Sequence, residues 1–331
     1  MKIAVDAMGG DQAPEEIVKG SVLAAREHRV EIALVGPVEI LEQELAKHDR
    51  ANASLEIVAA DEYLIEGEHP AFALRTKRNA SVVVATRLVK GGRADAVVSA
   101  GPTGGVVAAA LQILGSVEEI ARPVVGGPFL GFAPNTVMMD LGGNVDCRPD
   151  QLLDFAIVGT VYARKLLNIE NPTVGLLSIG AEEGKGNEQN RESYPIFQKC
   201  GLNFIGNVEG NDIVSGRANV IICDGFVGNI LVKFCEALGK TICGWLENKL
   251  NGKLPEGEIK EMSDSLLMAT NAADALGGGP LWAVDGVAVV AHSRSKSTEI
   301  ARAIAQAKLA VELDLVGTLK SELAAARKKL Q

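Results

Sequence analysis

Ala96-Val97-Val98-Ser99-Ala100-Gly101-Pro102-Thr103-Gly104-Gly105-Val106-Val107-Ala108-Ala109-Ala110-Leu111-Gln112-Ile113-Leu114-Gly115-Ser116-Val117 is 22 residues without a charge. Its reading decides the fold. A run of this length can be a membrane span, but a span carries few breakers and is rich in Leu, Ile and Phe. Here Gly101, Pro102, Gly104 and Gly105 interrupt the middle. The stretch therefore reads as a buried strand, a glycine turn and a buried helix.

The same alternation extends in both directions. Ile3–Val5, Glu31–Val35, Ser54–Ala59, Ala94–Ser99, Val124–Val125, Thr136–Met139, Thr173–Ile179 and Asn219–Cys223 read as strands, and Val287–Ala291 as another. A helix through Ile40, Leu41 and Leu45 follows the second of them. Strands this apolar are covered on both faces. The expected fold is α/β, a doubly wound, mainly parallel sheet in an α/β/α sandwich. Residues 1–331 read as a single catalytic unit, with 230–276 as a protruding helical hairpin.

Composition narrows the class. Glycine makes up 36 of 331 residues, about 11% against a usual value of about 7%. No G-X-Y period is present, and with 47% apolar residues a disordered chain is excluded. The net charge is −9, from 33 basic and 42 acidic residues. An acidic chain without a basic stripe argues against nucleic acid as a partner. Five cysteines without paired spacing fit neither a zinc site nor a disulfide framework, which points to a reducing cytosol. The strand-like opening Lys2-Ile3-Ala4-Val5 lacks the order of a signal peptide.

Four glycine loops follow predicted strands, at the edge where open α/β sheets bind ligands. They are Asp6-Ala7-Met8-Gly9-Gly10-Asp11, Ser99–Gly105, Asp140-Leu141-Gly142-Gly143-Asn144-Val145-Asp146, and Ile179–Glu188 with Gly184-Lys185-Gly186-Asn187. Glycine lets backbone approach a ligand, and a following helix N-terminus offers free N–H groups to an anion. The P-loop and dinucleotide patterns are both missing, so the site favours an anion without requiring a nucleotide.

These residues resemble the bacterial phosphate acyltransferases. The similarity runs from Asp6–Asp11 and Pro14 through Asn144–Cys147, Glu182–Glu188, Phe204–Gly210 and Cys223–Asn229 to Gly277–Leu281 and His292. It covers nearly the whole chain in order. Three positions depart from the family pattern. Pro102 stands where the family has Asn, Ser293 stands where Gly follows the His, and the Tyr-Gly-Gly-Ala-Pro near Leu276–Pro280 is altered.

The resemblance implies transfer of a long-chain acyl group from acyl carrier protein to inorganic phosphate, by direct attack of bound phosphate. It implies a homodimer in the cytoplasm with peripheral membrane contact, close to the downstream glycerol-3-phosphate acyltransferase. No cofactor and no metal are expected. Lys185, His292 and Asp224 are the candidate catalytic residues. Asp6, Gly9, Gly10, Ser99, Gly101, Thr103, Gly104, Asn144, Gly184, Gly186, Asn187 and Asn229 are the candidate phosphate ligands.

The stripe Ile230, Phe234, Leu238, Ile242, Trp245 and Leu246 reads as one face of a long amphipathic helix, packed on the core, on a second subunit or on a membrane. A second helix is expected over Ile259–Ala275. The competing readings are a phosphotransacetylase-like enzyme using coenzyme A thioesters, a non-catalytic membrane scaffold, and a dehydrogenase. The missing dinucleotide fingerprint weighs against the last.

Overall fold

The computed structural model describes residues 1–117, 120, 122–271 and 277–330. The chain divides into two compact units, Met1–Pro123 with Leu276–Gly317 and Val124–Ala275 with Thr318–Gln331.

Unit 1 holds strands β1 (Lys2–Asp6), β2 (Glu31–Gly36), β3 (Leu55–Ala59) and β4 (Ala96–Ser99), with β10 (Gly279–Trp282) and β11 (Val287–Val290) returning from the C-terminal segment. Their order is β3-β2-β1-β4-β11-β10. All neighbours pair parallel except β10 with β11. Alternation decides which residue enters which layer. Ile3, Val5, Ile32, Leu34, Val98 and Val289 point into one core with Ile17 and Val18 of α1 (Glu15–His28). Ile300 and Ile304 of α11 (Ser297–Glu312) join them. The opposite face holds Leu64, Ala73 and Leu74 of the segment around α3 (Pro70–Thr76). Val82 and Val83 of α4 (Ser81–Lys90) and Val106 and Ala109 of α5 (Thr103–Ile113) complete that layer. Each buried Val, Leu or Ile of these layers contributes about 1.5–3 kcal/mol, and both faces of the sheet are covered. The uncharged 96–117 stretch is thus a strand, a turn and a helix. No described helix is long and apolar enough to cross a membrane.

Unit 2 has the order β5-β6-β9-β7-β8. The strands are β5 (Val124–Pro128), β6 (Val137–Met139), β7 (Thr173–Leu177), β8 (Asn203–Val208) and β9 (Val220–Ile222). Only β5 with β6 is antiparallel. The buried helix α6 (Pro149–Leu166) lays Gly159 against Val220. Met138 and Ile221 enter the other layer with Phe129, Leu130 and Ile213. Helices α7 (Glu188–Lys199), α8 (Gly210–Ser215), α9 (Gly225–Leu250) and α10 (Glu256–Thr270) follow in this unit, α12 (Leu315–Leu330) enters it from Thr318 onward, and α2 (Val38–Leu45) of unit 1 completes the elements described. The mainly parallel α/β architecture matches the sequence expectation. Strands β8 and β10 carry Asn, Gly or Pro and were missed.

The hairpin is present as α9 and α10, which pack together. It starts earlier than 230, and residues 272–276 lie outside those described. Its polarity differs from a helix laid on its own core. Gly225, Gly228, Glu236, Gly239 and Cys243 are the buried positions of α9. Phe226, Ile230, Phe234, Leu238 and Trp245 are exposed, Phe234 to 60%. The apolar stripe faces outward.

Candidate functional site

In unit 1 the ends of β1, β4 and β11 meet at the C-terminal edge of the parallel strands. Val290 is the register partner of Ser99, and the Ala291 amide donates to the Ser99 carbonyl at 2.9 Å. Ser99 Oγ donates to Asp6 Oδ2 at 2.6 Å and accepts the Gly101 amide at 3.0 Å. Asp6 Oδ1 also accepts the Met8 amide at 3.3 Å. Asp6 and Ser99 are buried, 3% and 1% exposed. They hold the loop from beneath. Burial pushes the Asp6 carboxyl above the usual carboxylate range, against the hydrogen bonds that favour its charged form.

Gly9 is required here for proximity: a Cβ would come within 2.7 Å of the Gly101 amide nitrogen. Gly10 has φ +110° and sits below the Ser293 carbonyl. Asp11 N donates to Ser293 O at 2.7 Å, and Ser293 Oγ returns a bond to Asp11 Oδ2 at 3.2 Å. The departure at Ser293 therefore ties two loops together. His292 is exposed just beyond β11.

Above this base the N-terminus of α5 is open. Pro102 is the N-cap and provides no side-chain bond. The amides of Gly105 and Val106 bond back to the Pro102 carbonyl. Those of Thr103 and Gly104 have no acceptor among the described residues, and both residues are exposed. Free amides, a helix dipole and the Thr103 hydroxyl are groups that could hold an anion. Pro102 removes one amide from that set.

Unit 2 repeats the logic at the end of β6. Asp140 Oδ1 accepts the amides of Val125, Gly142 and Gly143, and Oδ2 accepts Asn144 Nδ2 at 2.8 Å. Burial raises the Asp140 carboxyl above its ordinary range in spite of these donors. Asn144 is 4% exposed, with its amide turned to Asp140. Gly225 and Gly228 let α9 touch the backbone of Asn144 and Asp140, and Asn229 packs on Gly142. Asp224 is the N-cap of α9, accepting the Val227 amide at 2.8 Å. Asn187 caps α7 in the same way, through the Asn190 amide at 2.9 Å. Gln189 Nε2 donates to the Cys147 carbonyl at 2.6 Å, linking the α7 start to the Asn144 loop.

Lys185 is exposed, makes no ion pair among the described residues, and lies with its stem over Gly180. Gly184 is open on all sides, and Gly186 adopts φ +102° beside Asn190. The Cys223 thiol is buried and pushed well up, first by burial and then by Asp224 and Asp140. A thiol held protonated is a poor nucleophile.

The structure thus assembles Asp6, Gly9, Gly10, Ser99, Gly101, Thr103, Gly104 and the His292 strand end within unit 1. It assembles Asn144, Asn187, Asp224 and Asn229 within unit 2. Asp6 and Asn144 sit under their loops, where they shape backbone. Ser81, 1% exposed at the start of α4, was missed. Its hydroxyl faces Asp6 without a well-formed partner, and no motif marks it. Among the described residues no cluster of His, Cys, Asp and Glu could hold a metal.

Paired glycine loops at parallel strand ends, each set on a buried aspartate, belong to a mainly parallel α/β protein, and that fold is similar to the fold of phosphotransacetylases. A phosphotransacetylase from Streptococcus pyogenes superposes with a TM-score of 0.63 at 20% identity, covering 98% of this chain and 94% of that one. Residues 1–317 match the family model for fatty acid synthesis proteins, and the chain belongs to that family. Relatives named phosphate acyltransferase include one from Desulforamulus reducens, 45% identical over 98% of this chain and 97% of its own. Another, from Pelotomaculum thermopropionicum, is 43% identical over 98% of this chain and 95% of its own. The chain is an acyltransferase of this group.

Proposed function

We propose that the protein moves a long-chain fatty acyl group from acyl carrier protein to inorganic phosphate, giving acyl phosphate for phospholipid synthesis. The open N-terminus of α5 carries this reading, since its free Thr103 and Gly104 amides suit a phosphate dianion. A phosphate oxygen attacks the thioester carbonyl, the C–S bond breaks, and the departing thiolate takes up a proton. Phosphate is itself the nucleophile, so catalysis rests on positioning. His292 supplies the proton, and Lys185 adds positive charge in its own loop. The buried, protonated Cys223 supports direct attack over an acyl-enzyme.

The outward apolar ridge of α9 supports a homodimer and peripheral membrane contact, with product passed to the glycerol-3-phosphate acyltransferase downstream. The test is incubation with long-chain acyl carrier protein and phosphate, with acyl phosphate trapped by hydroxylamine. No trapped product from the unmutated protein overturns the reading. Faster turnover of acetyl-coenzyme A than of acyl carrier protein favours a phosphotransacetylase-like enzyme.

A further inference from the structure

From Ala71 to Ala94 the chain holds Arg75, Lys77, Arg78, Arg87, Lys90 and Arg93, with no Asp or Glu among its 24 residues. This is a basic run in a chain of net charge −9. The overall acidity of the chain hides it. The fold carries this run on α3, the following turn and α4 of unit 1. Arg75 ends α3, Arg78 stands in the turn before α4, and Arg87 lies on α4; all three are exposed. Arg87 Nη1 donates to the Arg78 carbonyl at 2.9 Å, which fixes its guanidinium beside that turn. None of the three has a carboxylate partner among the described residues.

Of the acids nearby, Glu68 is paired with a cation, whereas Glu62, Asp61 and Glu66 keep their charge on the preceding loop. Glu68 accepts Lys77 Nζ at 2.6 Å and the Ile65 amide at 3.0 Å. Glu62 accepts the Asn79 amide at 3.0 Å. Asp61 and Glu66 remain exposed on the preceding loop. Lys77 also donates to the Tyr63 carbonyl, so this loop is held in one shape. It presents Tyr63, Ile65 and, on α3, Phe72, exposed to 42%, 54% and 70%. Beneath lies the small core of Leu64, Ala73, Leu74, Val106 and Ala109. The face is continuous with the N-terminus of α5: a Cβ on Gly104 would meet Pro70 Cγ at 3.0 Å, and one on Gly105 would strike Leu64.

We propose that this face, with Arg75, Arg78 and Arg87 around Phe72 and Ile65, docks the acidic acyl carrier protein that delivers the donor. The proposal rests on the acyl-transfer reading above. Charge complementarity selects an acidic partner, and three exposed apolar side chains among the cations suit a protein surface better than a polyphosphate backbone. Docking there sets the carrier's flexible prosthetic arm beside the α5 N-terminus.

The test compares the full chain with the triple variant R75E/R78E/R87E and its neutral counterpart R75Q/R78Q/R87Q. Binding of acyl carrier protein is read by fluorescence anisotropy, independently of turnover. Turnover is read with acyl carrier protein and with the same acyl group on free pantetheine. Charge reversal weakens carrier binding and raises its KM about tenfold or more, with the Gln variant between. The pantetheine thioester keeps its KM within about twofold, and the salt dependence of carrier KM flattens. Unchanged carrier binding, or equal loss with both donors, overturns the proposal. So does tight single-stranded DNA binding at this face with carrier KM unaffected. Absence of turnover with either donor in the unmutated protein counts against the acyl-transfer reading, while the anisotropy still decides the docking face.

Discussion

Asp6 Oδ2 and Ser99 Oγ lie 2.6 Å apart, and the same hydroxyl oxygen accepts the Gly101 amide. One buried carboxyl thereby reaches the anion loop through one hydroxyl. Replacing Ser99 by Ala leaves the Gly101 amide and the Asp6 carboxyl short of a partner, a loss of about 1–3 kcal/mol. Ser99→Ala is expected to raise the KM for phosphate at least about tenfold with the fold retained. Steady-state kinetics with phosphate as the varied substrate checks this; an unchanged KM separates the relay from phosphate binding.

The raised carboxyls of Asp6 and Asp140 give a pH signature. Each binds its proton more tightly folded than unfolded. Their contribution to stability is fully present below the unfolded carboxyl range and is lost as pH rises through the folded value. Asp6→Asn removes the Asp6 share. Urea unfolding between acid and neutral pH is expected to show a flatter decline for Asp6→Asn than for the unmutated chain. An identical slope places the charged form at no disadvantage in the fold.

Asp224 and Lys185 separate by readout. Asp224→Ala removes an N-cap and is expected to lower stability by about 1 kcal/mol. Lys185→Ala removes an exposed, unpaired cation and is expected to leave stability within about 0.5 kcal/mol. Phosphate KM in Lys185→Ala rises, by about tenfold for one lost charge-assisted contact. Thermal melts beside phosphate titrations distinguish the two. Full stability with abolished turnover in Asp224→Ala would make that carboxylate catalytic.

Gly228→Ala tests the joint between α9 and the Asp140 loop. The added methyl would overlap the Asp140 carbonyl. Overpacking of this kind costs about 1–3 kcal/mol. The prediction is a destabilised protein that loses more stability than Gly244→Ala, where a Cβ meets nothing within 4 Å. Comparable melts for both would remove the close contact as a constraint.

Removing Leu250–Pro255, the turn between α9 and α10, is expected to weaken liposome binding before phosphate binding. Flotation with anionic vesicles and phosphate titration provide the comparison. Equal loss of both marks misfolding of the hairpin.

The parallel strands were legible because Ile3–Val5, Glu31–Val35 and Ala96–Ser99 are apolar on both faces. β8 was hidden by its half-buried Asn203, Phe204 and Gly206, and β10 by Gly279 and Pro280. The glycine loops were legible as positions, but their chemistry was not. Asp6 and Asn144 are candidate ligands by position, and the fold buries both beneath their loops, a depth that is invisible in a linear motif. Ser81 lacked any local signal, since only the fold brings α4 to Asp6. The stripe on α9 was read correctly as a stripe. Which side it faced depended on Gly225, Gly228 and Gly239, whose small size lets the other side pack closest.

Helix α9 is 26 residues long, about 39 Å at the usual rise. Its glycine end is seated on the Asp140 loop, while its outer half is braced by α10, through Gly239 beside Thr270 and Cys243 bonded to the Ser263 carbonyl. The close-packed side of one helix is thus used up at both ends by its own chain, and only the side carrying Phe234 and Trp245 is left to meet anything else.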